Sequence, residues 1–168
     1  MPSHRLLLIR HAKSADGPID IERPLAERGI RDAGAIGPWL SQAGLLPDHV
    51  LVSPARRAKQ TWEGASAALP SSPEPTVDPR IYDNSPDALL AALRDVPEDA
   101  ETVVLVGHNP SITELADVLD DGDADPGARG ELDAGFKTSG VALFLVAAPF
   151  SQIAPGQARL GGFTVPRG

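Results

Sequence analysis

A chain of 168 residues is long enough for about one domain with one sizeable core, and it reads as a single domain over 1–168. Leu, Ile, Val and Phe form a quarter of the chain, above the roughly 20% below which disorder is the better expectation. The absence of cysteine excludes disulfides, thiolate nucleophiles and Cys-ligated metal centres. The net charge of −8 is local, because eight acids between Glu114 and Asp133 face the single base Arg129 while acids and bases elsewhere nearly balance. A basic face for nucleic acid is therefore not expected.

In chain order, Arg5 to Arg10 (RLLLIR) is a continuous apolar run of the kind found in strands buried on both faces, and Val50–Ser53 and Thr102–Gly107 repeat it. Between them, Glu27–Ala43 carries Ile30, Ala33, Gly34, Gly37 and Leu40 at helical spacing, and Ala55–Leu69 is Ala-rich with Trp62 on one side. Ser85-Pro86 opens a helix through Leu93, and Ser111–Leu119 forms another. Ser71–Pro75 and the Asp- and Gly-rich Asp120–Gly135 read as surface loops, Val141–Ala147 as a strand and Arg159–Val165 as an edge strand. Strands alternating with helices predict an α/β fold, a three-layer α/β/α sandwich with a mostly parallel central sheet. No apolar run approaches the roughly 20 residues of a membrane helix, and the segment before Arg10 lacks the layout of a signal peptide. The expectation is a cytoplasmic monomer without a membrane partner.

The chemistry-bearing residues fall at predicted strand C-termini: Arg10-His11, Ser53-Pro54 with Arg56-Arg57, and Gly107-His108-Asn109-Pro110. In open α/β sheets that edge binds ligands, so groups about 100 residues apart can converge there. Ser53-Pro54 and Asn109-Pro110 each read as an N-cap followed by proline at the first helical position, and helix N-termini favour anions. Two arginines, two histidines and two helix starts, without a glycine-rich nucleotide loop, point to a phosphoryl group. Metal binding by His11 and His108 is disfavoured, because the flanking arginines repel a cation and no ligand-rich spacing surrounds either. His4 and His49 read as surface residues, Trp39 and Trp62 as core. The acids from Asp117 to Asp133 read as a solvated loop, without the order of a calcium-binding loop.

The segments LIRHAKS (Leu8–Ser14), RPLAERG (Arg23–Gly29), SPARRAKQT (Ser53–Thr61) and VGHNP (Val106–Pro110) resemble the histidine phosphatase superfamily, also called phosphoglycerate-mutase-like. The short chain, the RHAKS variant and Thr138-Ser139-Gly140 before the last long strand resemble its SixA-like, phosphohistidine phosphatase branch. The resemblance implies that His11 is the nucleophile, that Arg10 and Arg57 clamp phosphoryl oxygens, and that His108 donates to a third. It implies Arg57 rather than Arg56 for this role, with Arg56 facing solvent, and it implies no cofactor and no metal. Ser14 and Asn109 are further candidates for substrate binding. The usual Glu of the loop after the third strand is missing from VDPRIYDNSP, and Asp83 is the nearest substitute as general acid. Asp83 could equally cap the helix beginning near Pro86.

An imidazole leaves more readily than an alkoxide, so the missing acid tilts the expected substrate toward phosphoramidates or activated esters, and the resemblance, in a chain without long lid insertions, implies phosphohistidine in a protein. A small-molecule phosphomonoesterase is the enzymatic alternative, and a catalytically weak phosphoprotein-binding module the alternative of another class.

Overall fold

The computed structural model describes residues 3–168. Its strands are β1 (His4–Arg10), β2 (His49–Val52), β3 (Thr76–Val77), β4 (Thr102–Gly107), β5 (Val141–Val146) and β6 (Ala158–Thr164), in the order β3-β2-β4-β1-β5-β6. The four strands from β3 to β1 are parallel; β5 runs antiparallel to β1, and β6 antiparallel to β5. The helices are α1 (Glu27–Gln42), α2 (Arg56–Ser66), α3 (Pro79–Tyr82), α4 (Pro86–Arg94), α5 (Ser111–Leu119) and α6 (Pro126–Asp133).

The continuous apolar strands supply both faces of this sheet, because successive side chains point to opposite sides. Leu6 and Leu8 of β1 join Leu51, Val103 and Leu105 in a core with α4, α5 and α6. Leu7 and Ile9 join Val50, Val52, Val104 and Val106 in a second core with α1 and α2. Three layers result, as the pattern predicts. Trp62 is 2% exposed in the second core, and Trp39 packs at its margin.

Three expectations are corrected. The buried stripe of α1 is Gly29, Asp32, Ala33, Ile36, Gly37 and Leu40, so Ile30 and Gly34 lie outside it and Ile30 is 58% exposed. Close approach to α2 selects this stripe: a Cβ on Gly37 would meet the Ala65 carbonyl oxygen at 2.2 Å. Second, the presumed loop Asp120–Gly135 contains α6, capped by the Asp125 carboxylate on the Ala128 N–H at 3.0 Å. Its glycines hide the helix from propensity, while burial of Ala128 and Leu132 stabilises it in place. Arg129 gathers Asp117, Asp120 and Asp133 at 2.8, 2.9 and 2.6 Å, so these acids are organised by one guanidinium. Third, β3 and α3 occupy stretches without a predicted element.

Candidate active site

Arg10 ends β1 opposite Gly107, which ends β4, so the adjacent parallel strands deliver His11 and His108 side by side. The His11 N–H donates to the Gly107 carbonyl at 3.0 Å, and the two imidazole centroids are 5.2 Å apart. Arg57 arrives from the first turn of α2, which follows the neighbouring strand β2. His11, Arg57 and His108 are 8%, 7% and 4% exposed and border one cavity of about 540 Å³ with Arg10.

The sequence segments around these residues hold one another. The Thr61 hydroxyl accepts from the Ala12 N–H at 2.9 Å and donates to the Arg57 carbonyl at 2.7 Å. The Gln60 side-chain oxygen accepts from the Leu25 N–H at 2.7 Å. Gly29 packs against the backbone after His11, where a Cβ would stand 2.0 Å from the Lys13 carbonyl oxygen. Ser139, at φ 60°, donates its N–H to the carbonyls of Arg10 and His11 at 3.0 and 3.2 Å. Each segment thus fixes the backbone of another.

The His11 Nδ1 lies 2.8 Å from the Ala12 carbonyl, which can only accept, so Nδ1 carries the proton and Nε2 the lone pair. Burial, with Arg57, Arg10 and Arg23 nearby, holds His11 at about 4 against the opposing effect of that hydrogen bond. Neutrality therefore comes from burial first and from the arginines second. His108 is lowered to about 3, by burial and then by His11 and Arg57. Its Nε2 meets the Ser53 hydroxyl at 2.7 Å, while its buried Nδ1 has no partner. The Ser53 oxygen also accepts from the Ala55 N–H at 3.2 Å, so the hydroxyl is held between the start of α2 and His108 Nε2.

The capping expectation is corrected here. Helix α2 begins two residues after Pro54 and α5 directly after Pro110, with N-caps Ala55 and Pro110. Ser53 instead orients His108, and Asn84 from the loop before α4 accepts from the Ser111 N–H at 3.1 Å.

Ser14 and Asn109 both border the cavity. The Ser14 hydroxyl accepts from Arg23 at 2.7 Å. The Asn109 amide is committed at both ends, donating to the Phe136 carbonyl at 3.2 Å and accepting from Thr113 at 2.7 Å. Since Arg10 donates to the same Phe136 carbonyl at 2.8 Å, Asn109 supports the setting of Arg10. Arg56 is exposed and outside the cavity, where it was expected. Asp83 is also exposed and outside it, at the C-terminus of α3, and the cap before Pro86 is Ser85. Its neighbour Tyr82 faces the cavity instead.

Sequence reasoning missed Asp20, Arg23 and Tyr82 as cavity residues. Asp20 lies on a 3-10 turn, Asp20–Glu22, in the connection from β1 to α1. Its carboxylate accepts from Arg57 at 3.1 Å, Tyr82 at 2.6 Å and Arg23 at 3.0 Å, and these partners hold it well below the usual carboxylate range, Tyr82 foremost. The spacing Asp20-x-x-Arg23, a local ion-pair spacing, was the available signal.

An α/β sheet whose strand ends gather two buried neutral imidazoles and three guanidinium groups is a site for an anion, with one imidazole nitrogen free to attack it. Residues 6–85 match the model of the histidine phosphatase superfamily (branch 1). The chain is 32% identical to the phosphohistidine phosphatase SixA of Escherichia coli, over 73% of this chain and 78% of that protein. It is 38% identical to an uncharacterized protein of Mycobacterium tuberculosis, over 95% of this chain and all of the relative. The solved structure of a SixA-type protein of Nakamurella multipartita superposes with a TM-score of 0.86 at 31% identity, covering 99% of both chains. The chain belongs to the histidine phosphatase superfamily, in its SixA-like branch, and is a phosphatase.

Proposed function

We propose that this phosphatase hydrolyses phosphohistidine in proteins, through a covalent intermediate on His11 and with the charge stabilised by arginines. The observation that carries the reading is the fixed tautomer of His11, whose Nδ1 is held by Ala12 while neutral Nε2 remains for attack beside Arg10 and Arg57. Nε2 bonds to phosphorus as the bond from phosphorus to the substrate imidazole breaks, its electron pair leaving on that imidazole. Water then hydrolyses phospho-His11. Arg10, Arg57 and His108 stabilise the equatorial oxygens.

The choice of substrate rests on the proton inventory. Asp20 is the one carboxylate bordering the cavity among the described residues, and its partners keep it ionised. A strong resident acid is thus lacking for an alkoxide leaving group, whereas the imidazole of phosphohistidine departs with less help. The similarity to a phosphohistidine phosphatase supports the same choice. A turnover panel of phosphohistidine peptide, phosphoramidate, p-nitrophenyl phosphate and sugar phosphates tests it. Phosphohistidine is expected to give the highest kcat/KM, and faster hydrolysis of a sugar phosphate would overturn the assignment.

A further inference from the structure

Arg57 is already occupied. Its two terminal nitrogens donate to a single residue, one to the Asp20 carbonyl at 2.8 Å and one to the Asp20 carboxylate at 3.1 Å. The same carboxylate collects Tyr82 at 2.6 Å and Arg23 at 3.0 Å, so two guanidinium groups and a phenol converge on one anion. Charge-assisted donors in that arrangement are what a phosphoryl group requires. We propose that Asp20 is an internal stand-in for the phosphoryl group, occupying Arg57 in the resting pocket and giving way to substrate oxygens on binding. The inference rests on the phosphatase reading of the cavity and deepens it by naming the residue that sets which anions gain entry.

The turn carrying Asp20 is built to move at low cost. It has no buried residue, and its neighbours Ile19 and Ile21 are 54% and 37% exposed, so displacement gives up little apolar burial. Arg57, Arg23 and Tyr82 lose one carboxylate and gain phosphoryl oxygens, which leaves none of them unpaired. A dianion outcompetes the single carboxylate charge for these donors, whereas a monoanion does so poorly. Asp20 thus favours the doubly charged phosphoryl group and weakens retention of phosphate, the product.

The test measures inhibition by inorganic phosphate, with kcat and KM, for the wild type, Asp20→Asn and Asp20→Ala. Thermal melting checks that both variants fold, as the unburied turn leads one to expect. Removing the competing charge should lower the phosphate inhibition constant about tenfold in both variants, with KM falling in parallel. Unchanged or weaker phosphate inhibition in variants that still become phosphorylated on His11 overturns the Asp20 inference alone. A loss of kcat with unchanged phosphate inhibition also overturns it, and assigns Asp20 to proton transfer. If phosphate inhibits none of the three proteins and His11 is never labelled, the inference falls together with the phosphatase reading.

Discussion

His11 differs from an ordinary surface histidine in two ways that one residue cannot arrange for itself: a fixed tautomer and a charge state held neutral well below pH 6.5. Replacing it by alanine removes the atom that bonds phosphorus, so turnover should vanish while the fold persists. Mass spectrometry of wild type mixed briefly with phosphoramidate, kept away from acid, should find one added phosphoryl group on His11. NMR titration should place the midpoint of His11 near pH 4, and a midpoint near 6.5 would remove the basis for neutral attack. Asp83→Asn should leave kcat/KM within about twofold on every substrate, because the side chain is exposed and outside the cavity; such surface changes rarely matter. A selective loss on alkyl phosphates would restore Asp83 as the acid. Ser53→Ala, by freeing His108 Nε2, should lower kcat by roughly tenfold with little change in KM, the pattern of an interaction realised in the transition state.

At the scale of elements, the start of α1 docks on the segment after β1 through Gly29, where backbone meets backbone. Gly29→Ala places a methyl 2.0 Å from the Lys13 carbonyl oxygen, and no side-chain rotation relieves it. Overpacking of this kind costs about 1–3 kcal/mol or more, and the shift is transmitted to His11 two residues away. Urea unfolding should show that loss, and kcat should fall with it. Gly34→Ala on the same helix provides the control: a Cβ there meets nothing within 4 Å, so stability should be unchanged or should rise, by up to about 1 kcal/mol.

For the whole molecule, the two buried histidines couple stability to pH. Both are depressed, to about 4 and about 3, so below pH 6.5 the unfolded chain takes up protons that the folded chain refuses. Stability is therefore fully present above pH 6.5 and falls as pH drops toward 4, by about 1.4 kcal/mol per histidine per pH unit at most. Urea unfolding at pH 7.0, 6.0 and 5.0 should reveal that slope, and His11→Gln should roughly halve it. An unchanged slope in the variant would show that His11 titrates normally. The assembled site also makes a statement about metals: with guanidinium groups supplying the positive charge, activity should survive exhaustive chelation. Loss in EDTA restored by one added cation would overturn the proposed mechanism. Vanadate should inhibit competitively and more strongly than phosphate, because its trigonal bipyramid resembles the transition state.

Sequence alone determined the layered fold and singled out four residues that the structure brings to one cavity, for a local reason. Continuous apolar strands such as RLLLIR must be covered on both faces, and the parallel order places the following residues Arg10-His11 and His108 at one edge. Arg57 was separable from Arg56 only through its motif, and burial agrees with that choice. Helix α6 escaped notice because its glycines argue against a helix until the packing of Leu132 is known. Asp83 and Tyr82 are neighbours in the chain, yet the short α3 turns the tyrosine inward and leaves the aspartate in solvent. Ser53 resembles a cap in sequence and becomes a partner of His108 only because β2 and β4 are adjacent. Asp20 carries no local mark of function beyond its spacing to Arg23. Its place on Arg57, 37 residues away, was decided by the tertiary structure, because a carboxylate's role depends on which cations the fold brings to it.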